Sequence, residues 1–214
     1  MTYAQSSGLG MRFSSVLKGR LAERILVTLL ERGGYRVTRL GIEELFDEVK
    51  YLPYEQYREL KLPKALRSLP DLLVADPTVS WAAMIEIKYR RRFDAEAARE
   101  LHATLREQHE YWPESYTALM ISEPFVDGGR FHQDFIRLIP PGEIDQLLYV
   151  PPPMQGDTEN AVSGRVWDRL PMLTHLFRNF PGSQPDARSS AQAADFWRSA
   201  DYITTAIREL SRLT

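Results

Sequence analysis

No cysteine occurs in the 214 residues. That absence excludes a disulfide framework, cysteine–zinc sites, iron–sulfur clusters and a cysteine nucleophile, and it fits a reducing compartment. Long apolar runs are missing too. The longest, such as Trp81 to Ile85, fall far short of the roughly 20 residues that span a bilayer. Met1 to Phe13 carry no apolar core of the signal-peptide kind. The expectation is a soluble, cytoplasmic protein without a membrane partner. An excess of one charge is also lacking: 27 basic residues face 29 acidic ones, for a formal net charge of −2. A protein that coats nucleic acid by bulk electrostatics is strongly basic, so only a local basic face remains open. Lysine is scarce, with five (Lys18, Lys50, Lys61, Lys64, Lys88) against 22 arginines, which makes the place of each lysine informative. The four histidines (His102, His109, His132, His175) have no metal-ligand spacing, and neither a G-x-S-x-G elbow nor a phosphate-loop pattern occurs.

What is present is globular in kind, with 43% hydrophobic and 26% charged residues. This length buries a core without covalent or metal staples. Residues 14 to 32 place Leu17, Leu21, Ile25 and Leu29 at helical spacing behind a Ser14 or Ser15 cap, with Gly33-Gly34 as the stop. Tyr35 to Leu40 alternates and predicts a strand. Residues 42 to 62 predict one or two short helices broken at Pro53. Strands are expected at Leu72 to Ala75, Trp81 to Tyr89, Thr117 to Ile121 and Phe131 to Ile139, with a long helix over 94 to 111. The order helix, strand, strand, strand, helix, strand describes an α/β fold, a mixed central sheet flanked by helices.

Residues 1 to 150 are thus expected to form the α/β domain. Residues 151 to 165, rich in proline and polar side chains, read as a linker, and 166 to 214 as a helical C-terminal extension with helices near 166 to 180 and 191 to 212. That extension holds Trp167, Leu173, Phe177, Phe180, Phe196, Trp197, Ile203 and Ile207. So large an apolar load fits packing on the α/β core, pairing in a homodimer, or docking of a partner protein.

The chemistry is concentrated in Pro70-Asp71 and Glu86-Ile87-Lys88. Glu-x-Lys occurs three times, but Glu48-Val49-Lys50 and Glu59-Leu60-Lys61 fall in helical segments, where residues two apart point about 200° away from each other. Glu86 and Lys88 fall on a strand, whose alternation puts them on one face. Ala82 to Ile85 lead into Glu86, so its carboxylate ends an apolar run and needs a compensating cation. A chain this rich in arginine uses lysine here, the cation whose pKa can move. Judged alone, the triplet also fits a surface strand with an ordinary ion pair. Glu23 interrupts the apolar stripe of the first helix between Val27 and Leu30, one turn after Gly19, although pairing with Arg20 or Arg24 at the stripe's edge explains it as well. Arg90, Arg91 and Arg92 form the densest basic run, with Arg36 and Arg39 as further phosphate candidates; a solvated strand end is the plainer account.

Four elements in this order resemble the PD-(D/E)xK nuclease superfamily, of restriction-endonuclease-like fold, and in look the Holliday-junction-resolvase-like members above all. They are KGRLAER (Lys18 to Arg24), GGYRVTRLG (Gly33 to Gly41), LPDLLVAD (Leu69 to Asp76) and MIEIKYR (Met84 to Arg90). Two features depart from that pattern: an insertion over about residues 42 to 69, and Gln108-x-x-Tyr111 in place of the Gln-x-x-x-Tyr of the RecB-like branch. The resemblance implies that Asp71, Glu86 and the Ile87 carbonyl bind Mg²⁺ or Mn²⁺. It further implies that Lys88 orients or helps deprotonate the attacking water, and that Glu23 holds a second metal or a metal-bound water. The implied activity is metal-dependent hydrolysis of DNA by an endonuclease. A nuclease-fold subunit that binds nucleic acid or a partner protein without cutting is the alternative, and coincidence of the motif on an unrelated α/β scaffold is a third.

Overall fold

A computed structural model describes residues 6–50, 52–125, 132–178 and 202–212. Helix α1 (Ser6–Arg32) starts well before the expected Ser14. It ends where the Tyr35 amide returns to the Leu30 carbonyl at 3.1 Å, with Gly34 at φ +84°, a left-handed turn that only glycine adopts freely. Strand β1 (Arg36–Arg39) follows. In place of the one or two helices expected over 42 to 62 there are three short ones, α2 (Ile42–Leu45), α3 (Asp47–Lys50) and α4 (Tyr54–Glu59), and α5 (Lys64–Arg67) follows them. Then come β2 (Leu72–Ala75), β3 (Ala82–Arg90), α6 (Ala95–His109), capped by the Asp94 carboxylate on the Ala97 amide, and β4 (Tyr116–Ile121).

Several expectations need correction. Residue 131 of the strand expected over 131 to 139 lies outside the described residues, and 132 to 139 are not one strand: α7 (His132–Phe135) precedes β5 (Ile136–Ile139), because Gln133 and Asp134 break the alternation that a strand requires. After α8 (Ile144–Leu147), helix α9 (Glu159–Arg169) begins inside the stretch expected to be linker. The Thr158 hydroxyl starts it by accepting from the Ala161 amide, so of the expected linker only 151 to 158 lie outside helix. The helix expected near 166 to 180 also needs correction: α9 stops at Arg169, before Pro171, and a 3-10 turn (Leu173–His175) follows; helical residues 202–210 complete the description, while 179 to 201 lie outside it.

The five strands lie in the order β1-β2-β3-β4-β5, mixed in sense: only β3 and β4 run parallel, joined by α6 as a crossover helix. Each sheet face carries its own core. On one, Leu26, Leu29 and Leu30 of α1 pack on Leu72, Ile85 and Met120. On the other, Leu101 and Leu105 of α6 pack on Leu119 and Ile121. Phe180, Phe196 and Trp197 of the C-terminal apolar load lie outside the described residues; the described part packs on these cores. Trp167 lies against Phe93 on the α6 side (ring centroids 5.7 Å apart), and Phe177 meets Tyr35 edge-on at 5.0 Å on the α1 side. Ile203, Ile207 and Leu210 join the α1-side core at helical spacing. Among the described residues, no helix is long and apolar enough to cross a membrane.

The β2–β3 connection is pinned by one carboxylate. Asp76 accepts from the Thr78 hydroxyl, the Ser80 hydroxyl (3.0 Å) and the Trp81 amide (3.0 Å), which lowers its pKa to about 2, the Thr78 bond being the largest cause. The same turn holds Val79 at φ +58°, where a β-branched residue is strained. Asp76→Ala is expected to lower the thermal midpoint at pH 7 by a few degrees. A carboxylate with a depressed folded pKa contributes stability above its unfolded value, so this gap should close as pH falls toward about 2. Equal midpoints at pH 7 would show that the turn holds itself.

Candidate active site

Strand register brings the sequence-distant acid to the Glu-x-Lys triplet. Leu72 pairs with Ile85, so Asp71, one residue earlier, arrives opposite Glu86. There β2 stops while β3 runs on to Arg90 with β4 on its other edge. The Asp71 side chain takes up the first free donor on that open edge, accepting from the Ile87 amide at 2.7 Å. The Asp71 carbonyl accepts from the Leu40 amide at 2.8 Å, which anchors it to the end of β1. In extended backbone the N–H and C=O of one residue leave by the same edge. The Ile87 carbonyl therefore also faces the Asp71 side, and Ile87 lines the cavity there.

Glu86 and Lys88 project from the opposite face to the core residues Ile85 and Ile87, toward α6. Glu86 is 8% exposed and is held at both oxygens: Oε1 by the Lys88 ammonium at 2.5 Å, Oε2 by the Gln108 amide nitrogen at 2.7 Å. Gln108 is itself 5% exposed, and its Oε1 has no hydrogen-bond partner. Burial, and next the Glu86 carboxylate, push the Asp71 carboxyl up to about 8 against the opposing Ile87 hydrogen bond and the Lys88 charge. A half-buried Asp71 beside the buried Glu86 is thus short of positive charge, the electrostatic condition that a cation relieves.

Glu23 reaches the same cavity, of about 380 Å³, from α1, beside Gly19, where a Cβ would meet nothing within 4 Å. Its carboxylate pairs with Arg39 at 2.9 Å, and Arg39 also holds Glu44 at 3.1 Å. Burial raises the Glu23 pKa while Arg39 opposes the rise. Among the described residues no three acidic or histidine side chains gather closely enough to hold a metal ion by themselves, so Glu23 stands apart from the Asp71–Glu86 pair. Two carboxylates, a backbone carbonyl and water still suit Mg²⁺, an ion that keeps several waters and takes one or two carboxylates from the protein.

The arginines expected on phosphates are scattered. Arg39 is bound into the site by Glu23 and Glu44. Arg36 lies at the other end of β1, across from Ala75. Arg91 and Arg92 share Glu123 and are exposed, and the Arg90 guanidinium donates to the Tyr89 carbonyl at 3.0 Å. Of the run, Arg90 alone continues the Glu86–Lys88 face of β3. The other two Glu-x-Lys triplets do not compete: Glu48 and Lys50 lie in α3, and Glu59 ends α4 with Lys61 beyond it.

Gln108 was legible only as a polar position in a motif. Its place in the stripe Ala98, Leu101, Leu105, Gln108 is the signal that marks it, a polar residue at helical spacing on the buried face of α6. The insertion gave no such signal, yet its Arg67 and Leu69 line the cavity. No protein-family model, curated protein or solved structure matches the chain.

Proposed function

We propose that this chain is a metal-dependent phosphodiesterase that hydrolyses DNA as an endonuclease, on a restriction-endonuclease-like core of the PD-(D/E)xK type. The observation that carries the reading is the convergence of Asp71, Glu86 and Lys88 on one cavity, two acids and one ammonium from neighbouring strands. A phosphodiester is an anion that repels hydroxide, so its hydrolysis needs positive charge on a non-bridging oxygen and an activated water. A divalent cation, Mg²⁺ or Mn²⁺, held by Asp71, Glu86 and the Ile87 carbonyl would supply both. Lys88, braced against Glu86, orients the attacking water and offsets the charge that builds on the phosphate oxygens. Glu23, steadied by Arg39, holds a metal-bound water or a second cation on the α1 side. Gln108 keeps Glu86 from rotating out of the site.

The test is a panel of supercoiled, linear, single-stranded and branched DNA with Mg²⁺ or Mn²⁺, run beside calorimetric titration with Mn²⁺. Cleavage that needs the cation, with a binding isotherm lost in Asp71→Ala, supports the reading. No Mn²⁺ isotherm and no cleavage of any form would instead favour the nuclease-fold subunit that does not cut. Gln108→Leu is expected to weaken Mn²⁺ binding or activity by about 10- to 100-fold, the usual cost of freeing a ligand's supporting partner. An unchanged isotherm and rate in that variant would limit Gln108 to packing.

A further inference from the structure

We propose that the cavity between α5 and α6 is a nucleoside subsite that receives one unpaired nucleotide next to the scissile phosphate, so that the substrate is single-stranded where it is cut. The inference rests on the phosphodiesterase reading and adds the strandedness of its substrate. Asp71, Glu86 and Lys88 lie between two cavities, the one on the α1 side and this second one of about 430 Å³, and line both. A phosphate placed on the trio thus has a chamber on each side, as a phosphodiester has a nucleoside on each side.

The second chamber has the chemistry of a nucleotide. Lys64 and Arg67 line it from the insertion, cations suited to a backbone phosphate, and Tyr111 lines it from the end of α6. An aromatic ring stacks on any base, which gives affinity without sequence preference. Glu107 in the same wall keeps the charge mixed, so stacking on Tyr111 carries more of the binding than phosphate attraction does. The wall between α5 and α6 is fixed in place. The Trp112 indole donates to the Ala65 carbonyl at 2.9 Å, and the Gln108 amide nitrogen lies 3.5 Å from the Ser68 carbonyl, which fastens α5 to α6. The volume is that of a small-ligand pocket. A base with its sugar fits such a space, and a base can turn into it to lie on Tyr111 only when it is released from a partner strand.

The test is fluorescence anisotropy with a short labelled oligothymidylate and with its duplex, in Ca²⁺ and separately in EDTA. The single strand is expected to bind more tightly than the duplex. Tyr111→Ala should weaken single-strand binding roughly tenfold, and Tyr111→Phe should restore it. Lys64→Glu, at an exposed position that folding does not depend on, should weaken the same binding and flatten its salt dependence. Equal affinity for duplex and single strand, or wild-type binding by Tyr111→Ala and Lys64→Glu together, would overturn the subsite. Mn²⁺ calorimetry and DNA cleavage report the phosphodiesterase reading separately, and the EDTA arm decides the subsite even if that reading fails.

Discussion

Asp71→Ala and Glu86→Ala are each expected to lower cation-dependent DNA cleavage by about a thousandfold, with Lys88→Ala close behind. Removal of one preorganised electrostatic group typically costs about 10²–10³ in rate, and here each acid has more than one task. Asp71 holds the Ile87 amide as well as offering its free oxygen to the cavity, so its loss also releases the backbone carbonyl expected to complete the cation site. Glu86 binds Lys88 through one oxygen and Gln108 through the other, so its loss leaves the ammonium without this partner and the buried amide with only its 3.5 Å contact to the Ser68 carbonyl. Lys88→Arg should not rescue: a planar guanidinium cannot occupy the place of a compact ammonium beside Glu86 or give up a proton. Initial rates on the preferred DNA form, with the cation held saturating, measure this. Wild-type rates in Asp71→Ala or Lys88→Ala would remove that residue from the mechanism.

Asp71→Asn is expected to make the cation-free protein more stable at pH 8, by on the order of a few kcal/mol, or roughly 5–10 °C in thermal midpoint. The sign follows from the direction of the shift. The folded-state pKa of Asp71 is raised from 3.8 to about 8 by burial and by Glu86. Its favourable contribution is therefore fully present below the unfolded value and is lost as pH rises through about 8. Asparagine keeps the acceptor for the Ile87 amide and turns a donor toward Glu86, so it retains the contact and removes the conflict. Thermal midpoints in EDTA between pH 4 and 9 should fall with pH in the wild type more steeply than in the variant, the curves converging near pH 4. A cation reverses the effect by favouring the ionised acid, so Mn²⁺ binding should tighten from pH 6 to 8 and release a proton, seen as buffer-dependent heat. Parallel stability curves for the two proteins would mean that Asp71 is not strained by its surroundings.

The two predictions share a cause. The charge pattern that equips the site for a cation is the one that costs the empty fold stability, because a half-buried and a buried carboxylate facing each other across two strands repel where water screens them only in part. Asp76, another buried acid beside the same two strands, shows the contrast. It is surrounded by donors from its own turn and is held well below its ordinary pKa.

Much of this arrangement was legible in the chain. The strand at Leu72 to Ala75 was read with its observed bounds, and the Ala82–Arg90 strand, the α6 helix and β4 to within about two residues, because runs such as LLVA and TALMI are apolar, short and bounded by turn residues. The choice among three Glu-x-Lys triplets needed only the two-residue period of a strand. The stretch from 131 to 139 misled because its apolar ends hid a polar centre, and α9 because prolines just before it suggested a longer linker than Thr158 allows. Arg39 is in sequence one phosphate candidate among several; its partners Glu23 and Glu44 come from two separate helices, a juxtaposition that no local pattern announces. The insertion was seen only as extra length, although Lys64 and Arg67 line the chamber beside the trio.

By itself the sequence determined that Glu86 and Lys88 share a face and that Ile85 and Ile87 take the other, since alternation along a strand is set residue by residue. It also determined the order helix, strand, strand, strand, helix, strand that describes a mixed sheet, while the parallel β3–β4 pairing that makes α6 a crossover came from the structure. Only the tertiary structure decided that Asp71 stops opposite Glu86, that Gln108 from the next helix closes on the second carboxylate oxygen, and that Arg39 rather than solvent faces Glu23. Those meetings depend on strand register and helix docking across long stretches of chain. The strength of the charges that result is set by burial, a property of the whole packed core and of no segment within it.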